Sequence, residues 1–410
     1  MRAARTVAVS AVALIVLTIL TTGPARAAGT SCGWPLKADP DLLNVAWPDE
    51  SASYWAAPFD ATPGSTMTIR ARFPLARYMS FHLYEGSAPV DALTDYQIQP
   101  ATGSNPYLPG ARLALGGTYV LRVVFGQRPQ NPAPNTLYAA SLNGEPNVAG
   151  LILYRLYLPE RSATGGVPLP EVHYTEAAGT SPLPCPDTSA ADDGALNQAI
   201  RGSSLPAEWP AQLPPTSQEP SWGLARSGRS PTGVGPLSVN TGNPFFANFD
   251  NVYLSLDVWR DRGSIVAFRA KAPTFADTSR AQFMPAAQLR YWSVCSNEFA
   301  TTRYVACTPD KAMRLDRDGY FTVVISDPAH KPKDLLRTDN WLPAGSYPDT
   351  FVLYRQMLPD PSFVRAIQFA PSATDAPRTM GDYYPITRIC SKATFEASRC
   401  GLPTVRAARR

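Results

Sequence analysis

The sequence Leu-Tyr-Arg-Leu-Tyr-Leu-Pro occupies residues 153–159, and Leu-Tyr-Arg-Gln-Met-Leu-Pro occupies residues 353–359. Four more pairs of similar stretches occur in the same order, each pair about 200 residues apart: 68–74 and 267–273, 77–80 and 290–293, 117–120 and 318–321, and 135–139 and 340–344. An ordered set of this kind indicates a duplicated domain, because solenoid repeats have periods of only about 20–50 residues.

Short runs within each copy predict β-strands. Residues 67–73, Met-Thr-Ile-Arg-Ala-Arg-Phe, alternate apolar and polar side chains, as a strand with one buried face requires. Residues 119–125 and 320–325 are rich in β-branched and aromatic side chains. About eight such runs per copy, without long amphipathic helices between them, predict an all-β protein. Its architecture is two tandem jelly-roll-like antiparallel β-sandwich domains.

The two copies define the predicted domain boundaries. We assign residues 29–187 to the first β-sandwich domain and residues 246–402 to the second. Residues 188–245 form a Pro/Ser/Gly-rich linker with one predicted short helix at residues 192–201, and residues 403–410 form a disordered tail.

The first 28 residues have the pattern of a signal peptide. Arg2 and Arg5 precede an apolar run at residues 6–22, and the small-x-small sequence Ala25-Arg26-Ala27 follows it. The run is shorter than the roughly 20 residues that a spanning helix needs, so we favour cleavage over an uncleaved anchor. We therefore expect a secreted or cell-envelope protein without a stable transmembrane segment.

The charge of the chain argues against nucleic acid as a partner. The formal net charge is +4, and Arg2, Arg5 and Arg26 would be removed with the signal peptide. The remaining charge is too small to create the strong positive field that nucleic acid binding requires.

Six cysteines follow the predicted cleavage site, and an even number in an exported chain indicates disulfides. Their positions favour the pairs Cys32–Cys185, Cys295–Cys307 and Cys390–Cys400, although six cysteines allow fifteen arrangements. No cofactor or metal site is expected, because the sequence has no Cys-x-x-Cys and its three histidines are scattered.

Candidate site residues concentrate in residues 82–105, since standard nucleophile-elbow, phosphate-loop and dinucleotide motifs are absent from the sequence. His82, Asp91 and Asp95 are catalytic candidates, because two carboxylates near a histidine can act as acid and base. The ligand-binding candidates are Tyr84, Tyr96 and Asn105, which suit the lining of a sugar groove. The commonest role for such a composition is nevertheless a solvated loop with local hydrogen bonds.

Arg155 and Arg355 recur on the two Leu-Tyr-Arg strands, and both are ligand-binding candidates. A guanidinium on a mostly apolar strand can hold a carboxylate or phosphate in a bidentate fashion. The alternative, which we favour, is that each arginine pairs with an internal acid and fixes the register of its strand.

The repeated motifs resemble a family described as "domain of unknown function 1214". That family typically has a Tyr-Trp-Ser strand, an Asp-Gly turn into a strand, an Asn-Trp-Leu-Pro-Ala loop and a Leu-x-Arg-x-Tyr-x-Pro strand. The second copy has these features at residues 291–293, 318–319, 340–344 and 353–355, and the first copy matches more loosely. The chain departs from the family pattern because both halves look like the same unit. The resemblance implies a jelly-roll sandwich and no established reaction.

The favoured functional hypothesis is therefore a secreted, non-enzymatic protein that binds a glycan, a lipid or an envelope protein. The alternative is an extracellular hydrolase or lyase that acts on a polysaccharide. A third hypothesis is a structural subunit of a surface assembly.

Overall fold

The structure, a computed structural model, describes residues 33–34, 36–38, 44, 46–61, 65–141, 144–147, 149–176, 179–183, 222–226, 246–259, 264–299, 302–346 and 349–403. The predicted signal peptide, the predicted helix at residues 192–201 and residues 404–410 of the predicted tail lie outside the described residues.

The first domain contains ten described strands in two sheets. They are β1 (Leu36–Ala38), β2 (Ala52–Asp60), β3 (Thr66–Arg72), β4 (Tyr78–Glu85), β5 (Ala88–Thr94), β6 (Thr118–Val124), β7 (Thr136–Tyr138), β8 (Ala149–Tyr157), β9 (Glu171–Glu176) and β10 (Gly179–Leu183). One sheet has the strand order β1-β2-β8-β4-β5 and the other has the order β10-β9-β3-β6-β7.

The second domain has the same plan. Its strands are β11 (Gly223–Arg226), β12 (Asn251–Trp259), β13 (Ile265–Lys271), β14 (Leu289–Asn297), β15 (Tyr304–Pro309), β16 (Tyr320–Ser326), β17 (Asp339–Pro343), β18 (Asp349–Pro359) and β19 (Ile386–Cys390). The sheet orders are β11-β12-β18-β14-β15 and β17-β16-β13-β19. Two short helices, α1 (Ala376–Met380) and α2 (Lys392–Ser398), follow β18.

The prediction of an all-β protein with two sandwich domains is confirmed. One detail differs, because β7 pairs with β6, and β17 with β16, in parallel rather than antiparallel fashion. No helix in the described part of the chain is long and apolar enough to cross a membrane.

Strand β3 shows how the sequence pattern produces the sandwich. Met67 and Ile69 point inward and are buried, whereas Arg70 and Arg72 are exposed on the other face. Because side chains alternate along a strand, this pattern places one apolar row against the facing sheet. The buried apolar side chains of both sheets form the core, which includes Trp55 and Phe81.

Part of the predicted linker belongs to the second domain. Strand β11 pairs with β12 at the edge of its sheet. Trp222, immediately before β11, is buried in the core of the domain and donates from Nε1 to Oγ1 of Thr387 at 2.8 Å. Burial of this large apolar side chain stabilises the packing of residues 222–226 against the second domain.

Two of the three predicted disulfides are present. Cys295–Cys307 joins β14 to β15, and Cys390–Cys400 joins β19 to the residues after α2. The predicted pair Cys32–Cys185 lies outside the described residues.

The two domains exchange the segments that lead into their second strands. The backbone N–H of Trp47, ahead of β2, donates to the Thr302 carbonyl of the second domain at 2.6 Å. Reciprocally, the N–H of Phe246, ahead of β12, donates to the Ser87 carbonyl of the first domain at 2.9 Å. Each leading segment therefore lies against the sheet of the other domain and holds the two domains together.

Candidate functional site

A cleft of about 520 Å³ lies between the two domains. Loops of both domains and the segment leading into β12 form its walls. The first domain contributes Tyr96, Gln97, Leu108 and Pro109, and the rest of the chain contributes Phe249, Asp250, Val252, Met284, Pro285, Leu289, Arg290, Pro359, Asp360 and Gln368, among others. The size and the mostly apolar lining with a few polar groups are those of a small-ligand site.

A short two-stranded ribbon across the domain boundary forms one wall of the cleft. The Gly110 N–H donates to the Met284 carbonyl at 3.1 Å, and the Met284 N–H donates to the Ala111 carbonyl at 2.8 Å. Because backbone hydrogen bonds fix this wall, the shape of the cleft depends on the docking of the two domains.

His82 lies in β4 and is completely buried. Its Nε2 accepts a hydrogen bond of 3.1 Å from the backbone N–H of Phe249, in the segment that leads into β12. Its ring stacks near Tyr84, with the ring centroids 6.2 Å apart. The histidine therefore holds the exchanged segment in place and has no surface that a substrate can reach.

Asp91, in β5, is 1% exposed, and its carboxylate accepts hydrogen bonds from Arg128 and from the backbone N–H groups of Ala92 and Tyr138. Arg128 approaches both oxygens from Nη1, at 2.8 and 2.9 Å, and the Tyr138 N–H donates to Oδ2 at 2.8 Å. These contacts tie β5 to β7, which is at the edge of the facing sheet. The carboxylate therefore bridges the two sheets of the first domain.

Asp95 begins a 3₁₀ turn, Asp95–Gln97, directly after β5. Its Oδ2 accepts a 2.9 Å hydrogen bond from the Met79 N–H, and both of its oxygens lie 3.3 Å from Nη1 of Arg290 in the second domain. Burial raises the pKa of Asp95 to about 6, although Arg290 and the Met79 N–H act in the opposite direction. The side chain lies behind the cleft wall and is 0% exposed.

Tyr84, Tyr96 and Asn105 occupy different environments. Tyr84 is buried and donates from its hydroxyl to the Ala247 carbonyl at 2.8 Å. Asn105 is also buried, and its Nδ2 donates to the carbonyls of Asp95 and Ile98. Of the three, only Tyr96 is exposed, at 39%, and it lines the cleft.

The interpretation of residues 82–105 as a solvated loop is therefore wrong. Most of the stretch forms β4, β5 and the 3₁₀ turn, and His82, Asp91 and Asp95 are buried. The reason is that their partners, such as Arg290 and the leading segment of β12, come from distant parts of the sequence.

The two repeated arginines are buried at the domain interface. Arg355 forms an ion pair with Asp49, in the segment leading into β2, and also donates to Ser293 at 3.1 Å. Arg155 has no acid in the corresponding place. Its Nη2 donates to the Tyr84 hydroxyl at 2.5 Å and to the Phe246 carbonyl at 2.8 Å. Both arginines therefore anchor exchanged segments.

Several polar residues of the cleft, among them Arg290 and Gln368, were absent from the sequence-based candidates. Arg290 also donates to the carbonyls of Arg77 and Tyr107, so that both terminal nitrogens of its guanidinium are engaged within the protein. The position of Arg290 in the repeated stretch 290–293 could have marked it as a candidate from the sequence alone. Gln368 is 6% exposed, donates from Nε2 to the Gln356 carbonyl at 2.8 Å, and has an Oε1 without a hydrogen-bond partner. No sequence pattern marks it.

No group of three or more His, Cys, Asp or Glu side chains within the described residues is arranged to hold a metal ion. The lining of the cleft offers apolar surface, one exposed tyrosine, amide groups and the exposed carboxylate of Asp360, beside the buried Asp250 and the partly buried Arg290.

No protein-family model and no curated protein matches the chain. Among solved structures, the chain is similar to an uncharacterized protein from Burkholderia cenocepacia, with 15% identity, a TM-score of 0.49 and coverage of 94% of this chain and 88% of that chain. It is also similar to a protein from Vibrio parahaemolyticus, with 14% identity, a TM-score of 0.38 and coverage of 83% and 88%. These values carry no functional argument.

Proposed function

We propose that this chain is a secreted, non-catalytic binding protein that holds a neutral glycan in the cleft between its two domains. The observation that carries the proposal is the contrast within one stretch of sequence. Tyr96 and Gln97 line the cleft, whereas the three catalytic candidates are buried in contacts that hold the fold together.

The lining of the cleft supports a sugar as the ligand. An exposed tyrosine ring offers an apolar face with a polar edge, which suits the C–H face and the hydroxyls of a pyranose. Gln97 and Gln368 add amide groups to the lining.

The charges at the cleft support a neutral ligand. The guanidinium of Arg290 already contacts Asp95 and two carbonyls. The carboxylate of Asp250 accepts a 2.7 Å hydrogen bond from the Tyr78 hydroxyl. Arg290 is therefore neutralised by Asp95, and one oxygen of Asp250 is engaged by a phenol. The exposed carboxylate of Asp360 also lines the cleft and would repel an anionic ligand.

The alternative, hydrolysis or elimination on a polysaccharide, has less support. A general acid or base must come within roughly 2.6–3.2 Å of the reacting group, directly or through one water. His82, Asp91 and Asp95 are at most 1% exposed. A reaction that used His82 or Asp95 would first require the domains to separate, and one that used Asp91 would require the two sheets of the first domain to open.

Export of the chain is part of the proposal. The signal-peptide pattern supports it, and the disulfides Cys295–Cys307 and Cys390–Cys400 fit an oxidising compartment. We also propose that the two domains arose by duplication and belong with the "domain of unknown function 1214" proteins. The matching strand orders of the two domains support the duplication.

Titration calorimetry with a panel of neutral oligosaccharides tests the proposal. We expect binding by the wild-type protein, and Tyr96→Ala should weaken it about fivefold, because one stacked ring contributes on the order of 1 kcal/mol. Leu336→Ala is the control, since Leu336 is 53% exposed and lies outside the cleft. Absence of binding, or equal binding by Tyr96→Ala, would contradict the proposal. Release of reducing ends that Asp95→Asn abolishes would instead support the hydrolase.

A further inference from the structure

The outer face of the sheet that contains β3 and β6 carries three arginines. Arg70 and Arg72 of β3 and Arg122 of β6 are all exposed. In the strand register Arg70 lies opposite Val120 and Arg122 lies opposite Thr68, so that all three point to the same side of the sheet. We call these three side chains the arginine face.

The side chains of the arginine face have no ion-pair partner among the described residues. The nearest acid in register is Glu171 of β9, which lies opposite Arg70. Its carboxylate is 3.5 Å from Nε2 of His173 and 70% exposed. The face therefore keeps a net positive charge.

The position that corresponds to Arg70 has a different environment in the second domain. Arg269 of β13 forms an ion pair of 2.5 Å with Asp316, and its guanidinium also lies over the ring of Tyr320. An arginine on this strand is therefore compensated in one domain and left uncompensated in the other.

The second domain also covers the outer face of this sheet. Ile265, Ala267 and Val324 are fully buried there under Phe395 of α2 and Leu402. In the first domain the same face shows half-buried threonines, including Thr66 and Thr68 of β3. Among the described residues, the first domain therefore presents a polar surface at the face where the second domain buries apolar side chains.

We propose that the arginine face docks an anionic polysaccharide that carries carboxylates. A guanidinium pairs with a carboxylate in a planar, bidentate fashion. Arg70 and Arg72 are separated by about 6–7 Å along the strand, and Arg70 and Arg122 are diagonal neighbours about 7–8 Å apart. The row is therefore able to contact several charges along one polymer, while threonine hydroxyls meet the hydroxyls of the sugar.

The composition of the face favours a polymer over a lipid surface. The exposed large apolar side chains of the described chain, such as Phe283 and Val364, all lie elsewhere. A protein that binds a bilayer interface buries apolar side chains among the acyl chains, in addition to its charges. This docking surface shares no residue with the cleft, so the proposal does not depend on the cleft ligand.

Binding of the full-length secreted protein to immobilised polygalacturonate tests the proposal, with neutral dextran as the comparison. Arg70→Gln/Arg72→Gln/Arg122→Gln should weaken binding to polygalacturonate about tenfold or more. The matched control, Arg280→Gln/Arg314→Gln/Arg337→Gln, removes the same charge from exposed positions away from the face and should change affinity less than about twofold. Raising salt from about 50 to about 200 mM should weaken the wild type more than the arginine-face variant.

Four results would overturn the proposal. Equal losses in the two triple variants would assign the binding to overall charge. Unchanged binding by the arginine-face variant, or no binding by the wild type, would remove the surface from consideration. Binding to phosphatidylglycerol vesicles in place of polygalacturonate would identify a lipid partner. Since all six arginines are exposed, unfolding curves of both variants should match the wild type and exclude misfolding as the cause.

Discussion

Arg77 of the first domain donates from Nη1 to Oδ1 of Asp310 in the second domain at 2.5 Å, and both side chains are almost completely buried. The reverse contact also exists, because Arg290 of the second domain lies 3.3 Å from Asp95 of the first. Asp95 and Asp310 each begin a 3₁₀ turn directly after β5 and β15, respectively. Two crossed ion pairs of the same design therefore span the interface beside the cleft.

The first prediction concerns the Arg77–Asp310 pair. Arg77→Leu should lower the free energy of unfolding by about 3–5 kcal/mol, because it leaves a buried carboxylate without its partner. Urea denaturation followed by tryptophan fluorescence measures the change. Lys392→Met is the control, because it removes a pair with Glu396 that is about one quarter exposed, and it should cost less than about 0.5 kcal/mol. A loss below about 1 kcal/mol for Arg77→Leu would contradict the prediction.

The second prediction is a pH dependence of stability. Burial raises the pKa of Asp95 to about 6, and burial also raises that of Asp310 to about 6. A carboxyl whose pKa is raised on folding binds more protons in the folded state, so its contribution to stability increases as pH falls through 6. Between pH 7 and pH 5 each group should add about 1 kcal/mol to the free energy of unfolding.

The variant Asp95→Asn isolates this effect. Its stability relative to wild type should be greatest at pH 7 and should decline toward pH 5, as the wild-type carboxyl takes up its proton. Subtracting the two curves removes the contributions of the other titrating groups. The groups whose pKa is lowered, such as Asp316 and Glu396, titrate below this window. A difference that does not vary with pH would show that Asp95 keeps its ordinary pKa.

Local patterns in the sequence were sufficient for the strands and for two disulfides. The alternation of residues 67–73 predicted β3 with its correct buried face. The two close cysteine pairs, Cys295–Cys307 and Cys390–Cys400, lie on elements that are adjacent in sequence, so short spacing was a reliable guide. Features that depend on residues close together in the sequence could therefore be predicted from the sequence.

Features that depend on contacts between residues far apart in the sequence could not be predicted from it. The Asp95 carboxylate resembles a turn residue in sequence, and its burial depends on Arg290, which is 195 positions away. Trp222 stood in a proline- and serine-rich stretch, yet it docks because the second domain offers an apolar core. The parallel pairing of β6 with β7 likewise depends on the path of the intervening loop. The cleft arises from docking of the domains, so no single motif predicts it.

The third prediction concerns Gly117, immediately before β6. A Cβ atom at this position would lie 2.2 Å from the Ser104 carbonyl oxygen, which is backbone and has little freedom to move. Gly117→Ala should therefore destabilise the protein by about 1–3 kcal/mol or more through overpacking. The control is Gly126→Ala, since a Cβ atom there has no heavy atom within 4 Å. Thermal unfolding measures the melting temperatures of both variants, and that of Gly117→Ala should be the lower. Equal melting temperatures would contradict the predicted clash.

The last prediction is the third disulfide, Cys32–Cys185. Proteolysis of the non-reduced protein should give three cross-linked peptides by mass spectrometry, two of which contain the pairs seen in the structure. The third should join residues near 32 to residues near 185, because these two cysteines bracket the first domain. A bridge that closes a loop of about 150 residues restricts the unfolded chain strongly, so Cys32→Ser/Cys185→Ser should lower stability by about 2–5 kcal/mol. Two free thiols in the wild-type protein, or a peptide that links either cysteine to the second domain, would rule out this pairing.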